Sequence, residues 1–447
     1  MSNLFGTDGI RGVAGQHPIT IDFSSKLANV LSNLACCNKK KVAIGKDTRI
    51  SGDMLESALT AEFTANGIDV VSLGVVPTPL LTSKTQSLDV DMAIMITASH
   101  NPYFDNGLKL ISSTGDKFSD DLYEKIEKEM LLDKKESNTK EFGKVIRKNE
   151  IVEEYIDDMR KIAPNYKALQ GIRVVLDCAN GAYSYILPQT FKDLGAGVIA
   201  INNTPNGYNI NENCGSQHTD HLSETVREAK AHFGIAVDGD GDRVILVDEK
   251  GNLIDGDQLL CLLAKYLKKQ NKLTNDTVIS TEWSNLGLGE YLENNGYNYY
   301  KSKVGERYVI DLMKEKGATL GGEVVGHIVL SDYAVSGDAL ATAIIIALAY
   351  IDEGKKMSKI FPIFKPYPCI IRNIRFNNRE EMLNSVEQDD VKAEIEKSKA
   401  MLGSKSTLIV RKSGTEPAIK LRIEDLNENV VLDIADNLEK AISKYKK

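Results

Sequence analysis

The chain has 447 residues, and its 55 Lys and Arg against 63 Asp and Glu give a formal charge of −8. At roughly 150 residues per domain the length suggests about three domains, enough to bury a large core without covalent staples. The acidic balance argues against nucleic-acid or anionic-membrane partners, and 6% aromatics with one tryptophan leave little on which to stack bases. The six cysteines (Cys36, Cys37, Cys178, Cys214, Cys261, Cys369) form no C-x-x-C pair, so reduced thiols are expected, not a disulfide framework or a zinc site. The opening MSNLFGTDGIRG lacks a basic segment followed by an apolar one, which points to a cytoplasmic protein.

Taken in order, short apolar runs alternate with helical patterns, as in α/β proteins. Lys41–Gly45, Ile68–Leu73 and Asp91–Thr97 read as strands and Asp53–Asn66 as a helix. Gly171–Asp177 and Val198–Ile201 read as strands around a helix at Ser184–Leu194. Asn66-Gly67, Leu194-Gly195 and Asn295-Gly296 each lead from a helical pattern into a strand. Glycine there supplies the left-handed residue that ends a helix, so the three junctions suggest three related units. The charged stretch Asp133–Lys148 marks a first boundary, and Glu249–Asp257, after a hairpin on VILVD and LID, a second. Ala339–Ile351 is apolar but too short to span a bilayer, so it reads as a buried helix. Phe361–Pro368 carries three prolines and reads as a linker. Beyond it, strands at Thr407–Arg411 and Ile419–Glu424 with helices at Asp390–Leu402 and Val430–Lys444 make a small α+β unit.

Chemistry concentrates in a few loops. In Asp238-Gly-Asp240-Gly-Asp242-Arg243, three alternating carboxylates can turn together onto one hard cation. Glu249 falls at position 12 of an EF-hand count, but Arg243 stands where the sharp turn needs glycine and both flanks look like strands. Mg²⁺ in a strand-end loop is therefore expected. Thr97-Ala-Ser99-His100-Asn101-Pro102 places a serine at the end of a buried strand, a good position for a nucleophile. Downstream, Lys109 near a cation would have a lowered pKa and act as a general base. Arg411-Lys-Ser413-Gly414-Thr415 offers a guanidinium, hydroxyls and backbone N–H groups to a phosphate. In GGEVVGH, Glu323 can hold sugar hydroxyls and His327 can move protons. There is no P-loop and no G-x-G-x-x-G fingerprint.

FGTDGIRG, KDTRISG, TASHNP, DNGLK, DCANGA, DGDGDR, KVGERYV and RKSGTEP follow one another along essentially the whole chain. In combination they resemble the α-D-phosphohexomutase superfamily, and within it most closely the bacterial phosphoglucosamine mutases. The resemblance implies three related α/β domains with mixed sheets (1–148, 149–252, 253–362) and a smaller C-terminal α+β domain (363–447) around a central cleft. It implies interconversion of glucosamine 6-phosphate and glucosamine 1-phosphate, feeding UDP-N-acetylglucosamine and cell-wall precursors. Ser99 would be a phosphoserine, and glucosamine 1,6-bisphosphate (or glucose 1,6-bisphosphate) the intermediate or activator. Asp238, Asp240 and Asp242 would bind Mg²⁺ with an oxygen of Ser99, while Lys109, Arg11 and His327 do acid–base work. Arg243 and Glu323 would contact the sugar substrate, and Arg411, Ser413, Gly414 and Thr415 the phosphate that is not reacting. A homodimer and an activating kinase are carried as candidate partners. The resemblance also leaves open a phosphomannomutase or phosphoglucomutase, or a non-catalytic sugar-phosphate-binding relative. Val325 stands where the family's G-E-x-S-G-H pattern has serine, which puts sugar choice, not chemistry, in question.

Overall fold

A computed structural model describes residues 4–6, 8–34, 38–135, 139, 141–403, 405–413 and 417–446. It forms two compact units, one of Met1–Trp283 with Tyr297–Ile363, the other of Ser284–Gly296 with Phe364–Lys447. The division between Ile363 and Phe364 falls inside the proline-rich segment.

The first unit holds three sheets. The first contains β1 (Ile10–Val13), β2 (Lys41–Lys46), β3 (Asp69–Val75), β4 (Met92–Ile96), β5 (Asp105–Ser112) and β6 (Val145–Arg147), in the order β1-β5-β4-β2-β3-β6. β2, β3, β4 and β6 run parallel, β5 pairs antiparallel with β4, and β1 pairs antiparallel with β5. β4 reads MAIMI and is buried at every position, the continuous apolar run expected of a strand covered on both faces. Leu27 and Leu31 of helix Ile21–Ser32, with Leu55, Leu59 and Phe63 of helix Gly52–Ala65, pack with Val42, Ile44 and Ile94. The apolar spacing of 4 in each helix puts these side chains on one face.

The second sheet contains β7 (Arg173–Asp177), β8 (Gly197–Ile201), β9 (Phe233–Val237), β10 (Val244–Asp248) and β11 (Leu253–Ile254), ordered β11-β10-β9-β7-β8. The third contains β12 (Thr277–Thr281), β13 (Asn298–Ser302), β14 (Leu320–Gly322) and β15 (Ile328–Leu330), ordered β13-β12-β14-β15. The expected helix-to-strand junctions are present: Gly67, Gly195 and Gly296 have φ of 77°, 90° and 74°. The apolar run at 339 forms the buried helix Ala339–Glu353.

In the second unit β16 (Cys369–Arg375), β17 (Thr407–Lys412) and β18 (Ala418–Glu424) form an antiparallel sheet ordered β16-β18-β17. Helix Glu428–Ser443 covers it with Val431, Ile434, Leu438 and Ile442. Helix Leu286–Asn294 joins this unit: Leu286 N donates to Glu424 Oε1 at 2.6 Å, and Asn285 Nδ2 to the Tyr367 carbonyl at 3.1 Å. Among the described residues Cys178, Cys214, Cys261 and Cys369 are free thiols, and no helix is long and apolar enough to cross a membrane.

Candidate active site

The DGDGDR segment is the turn of an antiparallel hairpin: Val237 at the end of β9 pairs with Val244 at the start of β10. Strands on both sides exclude the helical flanks of an EF-hand. The tight turn brings Asp238, Asp240 and Asp242 together, with one oxygen of each within 4.8 Å of the others. All three are buried. Burial pushes the Asp238 carboxyl well up from its ordinary value, and the charges of Asp242 and Asp240 add to this. Asp240 Oδ2 accepts from Thr78 Oγ1 at 2.6 Å and from Lys109 Nζ at 2.7 Å. Asp240 Oδ1 and Asp242 Oδ1 are buried and accept no hydrogen bond among the described residues. Unpartnered buried carboxylate oxygens aimed into one space fit a hard divalent cation, which takes oxygen ligands.

Ser99 follows β4 and meets this turn. Its Oγ donates to Asp238 Oδ2 at 2.7 Å and lies 3.3 Å from His100 Nδ1. Ser99 has φ of 52°, left-handed backbone that an ordinary side chain adopts only when surroundings hold it. Those surroundings are specific. Buried Arg49 donates to the carbonyls of Ser99 (2.9 Å), Asn101 (2.8 Å) and Asp105 (3.0 Å), and also to that of Pro102. Its Nε rests on Asp47 Oδ2 at 2.9 Å, and Asn211 Nδ2 adds a second bond to the Ser99 carbonyl at 2.8 Å. Gly239 lies so close that a Cβ there would sit 2.7 Å from that same carbonyl oxygen.

Lys109 is in the middle of β5, buried, with Nζ 3.0 Å from Asp242 Oδ2 and 3.6 Å from Asp8 Oδ1. Burial opposes its charge, but Asp240, Asp242 and Asp8 together hold its pKa well above the ordinary value. This is opposite to the lowering expected from sequence, because the carboxylates surround the ammonium. Arg11, on edge strand β1, pairs with Asp8. Burial, then Arg243 and Arg11, push His100 down to about 3, so it is neutral. Arg243 donates its backbone N–H to Asp238 Oδ1 at 3.1 Å, beside the aspartate turn as expected.

Glu323 follows β14 and accepts from Gly305 N at 3.0 Å. His327 Nε2 lies 2.9 Å from Glu306 Oε1 and its Nδ1 3.9 Å from Asp242 Oδ1. Burial disfavours its charge, yet Glu306 and Asp242 raise it to about 9. Val325 is 45% exposed. Arg411 is the last but one residue of β17 in the second unit, and beyond the strand Ser413 N donates to the Ala418 carbonyl at 2.8 Å; Gly414 and Thr415 lie outside the described residues. The first unit thus brings together Ser99, Lys109, Arg11, Asp238, Asp240, Asp242, Arg243 and His327. Sequence reasoning gave no role to Arg49, Asp8 or His100, although KDTRISG, FGTDGIRG and TASHNP contain them. It had no signal for Thr78 or Asn211, which reach the site only through folding.

Family models described as phosphoglucomutase/phosphomannomutase alpha/beta/alpha domains I, II and III match residues 2–137, 153–251 and 255–367, and the C-terminal domain model matches 373–441. A phosphoglucosamine mutase of Bartonella tribocorum is 42% identical over 444 residues, 98% of this chain and 97% of that protein. One from Gluconacetobacter diazotrophicus is 40% identical over 447 residues, 98% of each. The chain belongs to the phosphoglucosamine mutase family of the α-D-phosphohexomutases. Solved structures agree on the fold. A phosphoglucomutase/phosphomannomutase family protein from Burkholderia thailandensis matches with a TM-score of 0.80 at 22% identity, covering 100% of this chain and 98% of that one. The Aspergillus fumigatus N-acetylphosphoglucosamine mutase, solved with GlcNAc-6P and magnesium, matches at 0.64 and 15% identity, covering 99% and 96%.

Proposed function

We propose that the protein interconverts glucosamine 6-phosphate and glucosamine 1-phosphate, carrying the phosphoryl group on Ser99. The observation that carries this reading is the 2.7 Å contact between Ser99 Oγ and Asp238 within the buried aspartate turn. Asp238, Asp240 and Asp242, with an oxygen on Ser99, would hold Mg²⁺. When bound, the ion neutralises charge on the transferring group. In the forward direction the bond from Ser99 Oγ to phosphorus breaks as the sugar 1-hydroxyl attacks, giving a 1,6-bisphosphate. In its neutral form Lys109 would take the proton from that hydroxyl. His327, held protonated by Glu306 and Asp242, would give its proton to the departing Ser99 oxygen, the two acid–base roles reversing in the return step, and Arg11 and Arg243 bind phosphoryl oxygens. The bisphosphate then reverses its orientation and returns its 6-phosphate to Ser99. Glu323 is assigned to sugar hydroxyls, and the loop beginning at Arg411 to the phosphate at rest.

The four-domain boundaries 1–148, 149–252, 253–362 and 363–447, a hinge at Phe361–Pro368 and a cytoplasmic location belong to this reading. Free thiols at the four described cysteines support a reducing compartment. Priming by a bisphosphate or an activating kinase and a homodimer complete the proposal.

Turnover of glucosamine, glucose and mannose 6-phosphates, side by side with and without the matching bisphosphate, tests it. Glucosamine 6-phosphate is expected to lead; comparable rates for glucose or mannose phosphate would overturn the substrate assignment. Val325 gives that alternative a specific basis, since an exposed valine offers the sugar no hydroxyl. Restoring one in Val325→Ser is expected to raise the preference for glucosamine by up to about tenfold, the worth of one ordinary hydrogen bond of ~0.5–1.5 kcal/mol. Unchanged kcat/KM for every sugar would remove the position from specificity.

A further inference from the structure

Behind the aspartate turn six side chains form a closed ring of alternating charge. Lys109 Nζ lies 3.0 Å from Asp242 Oδ2, and Asp242 Oδ1 3.9 Å from His327 Nδ1. His327 Nε2 is 2.9 Å from Glu306 Oε1, and Glu306 Oε2 is 2.8 Å from Lys117 Nζ. Lys117 Nζ reaches Asp8 Oδ1 at 3.2 Å, and Asp8 Oδ1 returns to Lys109 at 3.6 Å. Asp8, Lys109 and Lys117 come from the segments around the first sheet, Asp242 from the second and Glu306 and His327 from the third. Asp8, Lys117 and Glu306 are the members given no contact with substrate or reacting atoms in the chemistry proposed above.

We propose that Glu306 and Lys117 are positioning residues that together fix the His327 imidazole against the aspartate turn. This rests on the mutase reading for the proton that His327 handles. Three features support it. Glu306 divides its carboxylate between partners: Oε1 faces His327 and accepts from Gly337 N at 3.0 Å, while Oε2 faces Lys117. A carboxylate held at both oxygens has one orientation, and so keeps one oxygen 2.9 Å from one imidazole nitrogen as an ion-pair contact, with no aligned hydrogen bond at Nε2 among the described residues. The ring also leaves the imidazole one place to be, because a Cβ at Gly337 would collide with it and lie 2.9 Å from the Asp242 carbonyl. Finally, Glu306 is buried and Lys117 half-buried among charges, where a lone carboxylate would be costly and the alternation makes the set tolerable. Removing one member therefore disturbs its neighbours in turn, and the two residues should behave as one unit.

The tests use the full chain with Mg²⁺. Glu306→Gln is expected to lower kcat about 100-fold, the scale of a misplacement near 1 Å, with KM within about twofold. Glu306→Asp should recover part of the loss. Lys117→Met should lower kcat about tenfold, and the double variant should be no slower than Glu306→Gln, since coupled residues are not additive. Wild-type kcat in Glu306→Gln, or losses that multiply in the double variant, would overturn the proposal. Protein labelled with ¹⁵N-histidine, its His327 signals assigned through His327→Asn, gives a readout independent of turnover. Glu306→Gln, or Glu306→Asp should the first not fold, must move the His327 Nε2 resonance; an unmoved resonance overturns the link. If wild type turns over no hexosamine phosphate, the mutase reading fails while the resonance still decides whether Glu306 orients His327.

Discussion

Gly239→Ala is the sharpest test of how the aspartate turn meets Ser99. The added Cβ would stand 2.7 Å from the Ser99 carbonyl oxygen, 2.7 Å from Ile210 Cδ1 and 2.8 Å from Asn211 Nδ2. Ordinary contact begins at 3.4 Å, so the turn and the serine loop must part by about 0.7 Å. Ile210 can turn aside, but the carbonyl cannot, because Arg49 and Asn211 both hold it. The separation then falls on the 2.7 Å contact between Ser99 Oγ and Asp238. A shift approaching 1 Å at reacting groups costs up to about 100-fold in rate, so kcat is expected to fall about 10- to 100-fold. Overpacking should also cost roughly 1–3 kcal/mol of stability. The assays are coupled mutase turnover at saturating bisphosphate, thermal unfolding, and intact mass to read phosphate on Ser99. A variant with wild-type kcat and wild-type Tm would show that the turn and the serine loop are not in rigid contact, refuting the reasoning.

Other expectations concern separate parts of the fold. Arg49→Met leaves buried Asp47 without its cation and releases the carbonyls of Ser99 and Asn101. Breaking such a buried pair costs about 3–5 kcal/mol, so a markedly lower Tm and slower turnover are expected, and an unchanged Tm would refute the role. Asp238→Asn removes one of three mutually repelling buried carboxylates. Its metal-free Tm should match or exceed wild type while the rise in Tm on adding Mg²⁺, a binding effect, disappears; a retained rise would exclude Asp238 as a ligand. Glu62 links two helices by accepting from Ser25, Asn29 and Lys134 at 2.7, 2.8 and 3.0 Å. Burial raises its pKa, but these bonds outweigh that and hold it below the ordinary 4.5. Its stabilisation is therefore complete above the unfolded value and lost as pH falls through the folded one. Glu62→Gln should be less stable than wild type near neutrality, with the gap in Tm closing below pH 4.5; a gap constant with pH would refute the assignment.

Local chemistry was legible from the chain alone. Apolar runs such as MAIMI specify buried strands because every position must meet an apolar face. The glycines at 67, 195 and 296 mark helix ends because a left-handed residue is needed there. Asp238, Asp240 and Asp242 could be read as one ligand set since a tight turn brings residues two apart together. The proline-rich segment at 361–368 contains the division between the two compact units at Ile363 and Phe364, while the helix at 286–294 joins the second unit only through folding.

What only the tertiary structure decided is which distant residues share a boundary, and with what charge. Lys109 is the plainest case. From sequence it was expected to have a lowered pKa near a cation, whereas folding surrounds it with Asp240, Asp242 and Asp8 and raises it. His327 likewise keeps its proton because Glu306, some twenty positions earlier, and Asp242, in a turn of another sheet, raise its pKa. Arg49 and Asn211, more than a hundred residues apart, meet on the Ser99 carbonyl. Periodicity, capping and turn chemistry act over a few residues and so leave a pattern in the sequence. Electrostatic surroundings depend on distance in space, and here the packing of three sheets sets those distances.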